Sequence, residues 1–128
     1  MSNLRKGSND YFHTGVELYQ EGDYESAINK FECCIKQNRL IYDCYYNIGT
    51  AYIKLNEYDK GIPFFKKAIG IKKEARCFFN LGACYFGNKN YTAALFNFIL
   101  ALKLDESDID TKEAINTVTN KLINRIAN

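Results

Sequence analysis

Apolar residues recur at helical spacing along most of this chain, and the same apolar set returns on a longer period. Three segments, Tyr11 to Leu18, Tyr45 to Tyr52 and Phe78 to Tyr85, open on an aromatic residue and carry a glycine four positions later. Those glycines, Gly15, Gly49 and Gly82, stand 34 and 33 residues apart. Nine residues after each comes Tyr24, Tyr58 or Tyr91, followed by the columns Ala27/Gly61/Ala94, Phe31/Phe65/Phe98 and Cys34/Ala68/Ala101. Such a unit is long enough for two antiparallel helices. Small residues let two helix backbones approach closely, so the glycines are expected to face Ala27, Gly61 and Ala94.

Between the two helices of each unit lie short polar turns: Glu21-Gly22-Asp23, Asn56-Glu57 and Asn88-Lys89-Asn90. Asp23 and Asn90 are good N-caps for the second helix, and the middle turn is capped less well. Pro63 falls inside the second helix of the middle unit, where proline removes an intrahelical donor. With Gly61 beside it, the start of that helix is expected to be loose or late. After the third unit, Ile109, Ile115, Val118, Leu122, Ile123 and Ile126 make one apolar stripe, and Ser107 with Asp110 resembles a capping box. A final helix over about 109–127 is expected to close the stack as a lid. The alternative is that it swaps onto a neighbouring protomer.

These residues resemble the tetratricopeptide repeat family over residues 8–108. The third unit matches its pattern most fully, with Phe78, Leu81-Gly82, Tyr85, Ala94 and Phe98. The closing proline of the family is replaced by Arg39, Lys73 and Glu106, and Thr14 stands where an apolar residue is usual. The resemblance implies an all-α superhelical solenoid of three antiparallel helix pairs, with repeats at about 8–41, 42–74 and 75–108 and a seventh, capping helix. Residues 1–128 would then form a single domain.

In that geometry the first helix of each unit lines a concave groove. The resemblance places there Asn9, Phe12, Val16, Tyr19 and Gln20 from the first unit. The second unit supplies Asp43, Tyr46, Thr50, Ile53 and Lys54, and the third Arg76, Phe79, Ala83, Phe86 and Gly87. Each set shares one helical face, apart from the face that carries the glycines. With the core assigned to the glycine and alanine columns, Phe12, Tyr19, Tyr46, Phe79 and Phe86 are left over as contiguous apolar surface, which marks an interaction site. Many family members hold the C-terminal carboxylate of a chaperone with Lys and Asn on the first inner helix, Asn on the second, and Lys and Arg on the third. This sequence has Asn47 and Arg76 at two of these places, but Phe12 and Val16 replace the first pair and Asn80 the last Arg. A partner presenting apolar or aromatic side chains is therefore expected, as an extended peptide or an amphipathic helix.

Composition narrows the remaining choices. The chain has 128 residues, the size of one domain, with 47% apolar and 25% charged residues. A formal net charge of only +2, with basic and acidic residues intermixed, lacks the positive stripe that nucleic acid requires. RNA binding by a helical repeat, which would need more cations around the groove than Lys54 and Arg76, ranks last. The cysteines number five (Cys33, Cys34, Cys44, Cys77 and Cys84) and lack zinc-ligand spacing, so they read as small buried residues of a reducing compartment. Neither a signal-peptide apolar region nor a membrane-length apolar run is present, and a cytoplasmic location is expected.

Catalysis finds few candidates. His13 is the single histidine, no glycine-rich phosphate loop exists, and Cys33-Cys34 falls among core positions. The expectation is a non-enzymatic, co-chaperone-like scaffold, without metal or cofactor, that binds a protein partner through its groove. A self-associating assembly protein, such as a homodimer using the groove or the last helix, is the alternative.

Overall fold

The computed structural model describes residues 2–127, with side chains from residue 11 onward. Among them are seven helices and no strand: α1 (Ser2–Gln20), α2 (Tyr24–Lys36), α3 (Ile41–Lys54), α4 (Tyr58–Ile71), α5 (Ala75–Gly87), α6 (Tyr91–Leu104) and α7 (Ile109–Ala127). The side chain of Asn9, assigned to the groove, lies outside the described residues. Each helix packs mainly on its neighbours in sequence, and contacts across the series, such as that of α3 with α5, are small. This nearest-neighbour pattern is that of a solenoid.

The turn inside each unit is built the same way. Gly22, Asn56 and Lys89 take left-handed φ of 86°, 58° and 62°. Around them the next residue reaches back five positions, Asp23 N–H to Leu18 carbonyl, Glu57 to Tyr52 and Asn90 to Tyr85, each at 2.9 Å. That is the Schellman ending of a helix, which satisfies carbonyls otherwise left bare. Asp23 and Asn90 then accept from the N–H groups of Ser26 and Ala93, both at 3.3 Å, and cap α2 and α6. Glu57 makes no such side-chain bond, as expected for the middle turn, and instead pairs with Lys60 at 2.6 Å.

Each first-helix glycine makes room chiefly for a ring. A Cβ on Gly15, Gly49 or Gly82 would lie 2.7, 2.6 or 2.7 Å from the ring of Phe31, Phe65 or Phe98. The expected meeting of small residues is found at two of the three pairs: Gly61 approaches the carbonyl of Gly49, and Gly82 that of Ala94, both at 3.2 Å to the hypothetical Cβ, while the nearest neighbour of Gly15 is the Phe31 ring. Phe31 and Phe65 are wholly buried and Phe98 nearly so, with Ala27 in the cluster of Phe31 and Ala94 in that of Phe98. Burial of each ring stabilises the stack by roughly 1.5–3 kcal/mol.

Three expectations are amended. Helix α4 begins at Tyr58, level with Tyr24 and Tyr91 of its sister helices, and runs through Pro63 without a late start. Pro63 and Asp59 are both exposed, so water can serve the Asp59 carbonyl that the proline leaves without an N–H partner. The cap of α7 is Asp108, not Ser107: its carboxylate accepts from the Thr111 hydroxyl at 2.6 Å and the Asp110 N–H at 3.2 Å. Helix α7 covers the third unit with Thr111, Ala114, Ile115 and Val118, but Ile109, Ile123 and Ile126 of its apolar stripe are exposed by 67%, 55% and 87%. The lid is thus apolar on part of its outside.

Candidate functional site

Helices α1, α3 and α5 supply the inner-face residues, and α7 continues their series. The aromatic rings there belong partly to the core. At equivalent positions Phe12 packs on Phe31, Tyr46 on Phe65 and Phe79 on Phe98, with centroids 5.6, 5.9 and 5.4 Å apart. About two turns later, Tyr19 meets Tyr24 at 5.1 Å and Phe86 meets Tyr91 at 5.3 Å. All five inner rings are half-buried. The expectation that they are left over from the core therefore needs correction, because each packs against a core cluster and is only partly exposed.

Besides a polar hollow of about 670 Å³ at the α3–α5 mouth, lined by Tyr42, Asp43, Lys72, Glu74, Ala75 and Arg76, two smaller hollows open between inner helices. The first, of about 330 Å³, lies between α1 and α3 and is lined by Val16, Tyr19, Gln20, Phe31, Tyr46, Asn47 and Thr50. The second, of about 180 Å³, lies between α5 and α7 and is lined by Ala83, Phe86, Phe98, Ala114 and Thr117. Both are mainly apolar. Phe12, Ile53 and Phe79, also expected in the groove, line neither hollow. Ala114 and Thr117 were missed because α7 reads as a lid. The signal available was its place in the order, one helix after each second helix, which is the place of an inner helix.

Between α3 and α5 the face is bridged. Asn80 Nδ2 donates to the Tyr46 hydroxyl at 3.0 Å, and the Arg76 guanidinium lies 4.1 Å from the centroid of the Tyr46 ring and 5.4 Å from that of Tyr42. Arg76 Nε donates to Glu74 Oε1 at 3.2 Å, and its Nη2 is 3.9 Å from Asp43. Lys72 Nζ is 3.2 Å from the other Glu74 oxygen. The Tyr42 hydroxyl donates to Glu74 and sits 3.2 Å from Cys77 Sγ. Burial, then its Cys77 and Glu74 partners, push the Tyr42 hydroxyl above its ordinary pKa, while that hydroxyl and Lys72 hold the Glu74 carboxyl low. Arg76 is thus a brace shared by two rings and two carboxylates at the N-terminal ends of α3 and α5.

Cys34, Cys44, Cys77 and Cys84 are buried, whereas Cys33 is half-exposed rather than core. Burial raises the thiols of Cys34, Cys44, Cys77 and Cys84, those of Cys44 and Cys84 to about 12, so these four remain protonated and unreactive at neutral pH. His13 is exposed. Among the described residues no group of three His, Cys, Asp or Glu side chains could hold a metal ion, and no helix is long and apolar enough to cross a membrane.

A solenoid of helix pairs with an inner face of hollows and braces defines a helical-repeat protein. The chain belongs to the tetratricopeptide repeat family, whose models match residues 42–74 and 75–108. It is 25% identical over 109 residues to human sperm-associated antigen 1, which covers 84% of this chain but only 12% of that protein. The first tetratricopeptide domain of human RPAP3 superposes with a TM-score of 0.85 over 95% of this chain and 97% of that one, at 14% identity. The first such domain of Spaghetti (RPAP3), solved with the HSP90 peptide SRMEEVD, gives 0.83 over 92% and 94%, at 15% identity. At these identities the solved structures bear on the fold.

Proposed function

We propose that this chain is a non-enzymatic protein-interaction module, and that its inner face holds a segment of a partner protein by apolar side chains. Family membership supports the coarse part of this reading, and a protein of the same fold accepts a chaperone peptide. The two apolar hollows support the finer part. They flank the braced α3–α5 span, so at an interhelical spacing of about 10 Å they lie about 20 Å apart, or roughly six residues of extended chain. Two anchors at about 1.5–3 kcal/mol each, less the cost of association, suggest about micromolar affinity.

Recognition of a C-terminal carboxylate is disfavoured by the same geometry. Arg76 is already paired with Glu74 and lies near Asp43, and Phe12 and Val16 occupy the inner face of α1. In this reading residues 8–41 are a third repeat, residues 109–127 close the stack while lending Ala114 and Thr117 to the groove, and 1–128 act as one domain. Five free cysteines, four of them buried, fit a reducing compartment such as the cytoplasm.

Blocking the hollows tests the reading without removing a core ring. Thr50→Trp and Ala83→Trp, made together, should abolish partner capture while the circular dichroism melt stays within a few degrees of wild type. Capture that survives in a folded double variant would place binding elsewhere.

A further inference from the structure

The outer side of the repeat stack carries a hollow that the inner-face reading does not use. Unit-to-unit equivalence sets Phe64 of α4 against Asn97 of α6, Lys60 against Ala93 and Tyr52 against Tyr85. In the notch between α2 and α4, the Phe64 ring lies against α3, 6.2 Å from the Tyr45 ring and 5.8 Å from Tyr52, with the Lys67 ammonium 5.2 Å from it. In the matching notch between α4 and α6, Asn97 offers no ring and turns inward, its Nδ2 donating to the Ala93 carbonyl at 2.8 Å. A hollow of about 540 Å³ opens there, lined by Leu81 and Tyr85 of α5, Lys66 of α4, and Ala93, Phe96 and Asn97 of α6. Phe96 is 63% exposed. Lys66 is exposed and forms no ion pair among the described residues.

We propose that this notch is a second docking site, which takes one aromatic side chain from an acidic segment of a partner protein. The ring occupies the place that Phe64 fills one unit earlier, over Tyr85, and Phe96 widens the apolar contact. Carboxylates beside it meet the unpaired Lys66. A second copy of this chain is the poorer occupant, because a two-fold contact through the notch would set Lys66 against its own mate.

The test is a titration of ¹⁵N-labelled protein with the peptide acetyl-Glu-Glu-Phe-Glu-Glu-amide, followed by amide chemical shifts. Saturable shifts are expected at Leu81, Tyr85, Ala93 and Asn97, and none from the same peptide with Ala in place of Phe. Asn97→Phe, which restores the ring of the middle unit, should abolish them, and Lys66→Glu should weaken binding by about three- to tenfold. Should Asn97→Phe fail to fold, Ala93→Lys fills the notch with the residue of the middle unit and serves the same purpose. The proposal is overturned by absence of saturable shifts at these residues, by shifts that persist in a folded filled variant, or by shifts that map to Thr50 and Ala83 instead. Shifts at Phe96 that grow with protein concentration before peptide is added would name a second copy as the occupant and overturn it equally.

Discussion

The two junctions between repeats are built from one helix order and carry their apolar hollows on opposite sides. Between the first and second units the outer notch is sealed by Phe64 and the inner side is open, with a hollow of about 330 Å³ between α1 and α3. Between the second and third the inner side is bridged by Tyr46, Asn80 and Arg76 and keeps a polar hollow of about 670 Å³ at its mouth, while the apolar hollow lies in the outer notch, where Asn97 replaces the ring. The connecting backbone differs, left-handed at Asn38 and Leu40 in the first and extended at Lys72 and Glu74 in the second, yet the helices around it pair in the same order. A few side-chain exchanges at equivalent positions decide which face of a repeat protein presents a cavity, and so where a partner can seat an anchor.

The largest way to break this comparison is to remove the outer seal. Phe64→Ala should cost about 2–3 kcal/mol, at or below the low end for a phenylalanine truncation because the ring is only half-buried. Chemical denaturation measures it, and a loss under about 1 kcal/mol would mean that the ring is surface decoration. The inner bridge is worth less. Tyr46→Phe keeps the ring on Phe65 and under Arg76 but deletes the bond to Asn80, so about 1 kcal/mol should go. Asn80→Ala should match it, and the double variant should cost little more than either single change.

The smallest effect is electrostatic. The Tyr42 hydroxyl, and after it Lys72, hold the partly exposed Glu74 carboxyl below its usual value of 4.5. A carboxyl depressed by folding contributes stability that is present above its unfolded pKa and lost as pH falls through the folded one. Melting temperature should therefore fall slightly faster on acidification below about pH 5 in wild type than in Glu74→Gln. Parallel curves would show that the α3–α5 mouth adds nothing to stability.

Much of this fold was legible in the sequence because repetition multiplies weak signals. A single Gly15 says little, but Gly15, Gly49 and Gly82 in register with Phe31, Phe65 and Phe98 require a close helix pair three times over. Asp23 and Asn90 marked helix starts by their chemistry. Lys89 gave no sign of its left-handed φ of 62°, because lysine has no preference for that region and only its alignment with Gly22 points there. Asp108 was passed over as a cap since Ser107 beside it is an equally good acceptor in isolation.

The site was less legible than the fold. Inner-face residues follow from helical spacing, but their division into two hollows depends on a tyrosine hydroxyl reaching an asparagine 34 residues away. The half-burial of Phe12, Tyr46 and Phe79 depends on ring-to-ring packing that spacing does not encode. Nor does a stripe show that Ala114 and Thr117 of α7 face a cavity while Ile123 and Ile126 stay bare.

The central claim is that a partner segment lies on the inner face, seated in the hollows beside Thr50 and Ala83. The most direct measurement is photocrosslinking in cells, with benzoylphenylalanine placed singly at positions 50 and 83 and, as an outer control, at position 36 on α2. The account expects the same heterologous adduct from positions 50 and 83 and none from position 36. Adducts from position 36 alone, or products of twice the 14.8 kDa chain mass from the inner positions, would contradict it, the second outcome making the chain its own partner.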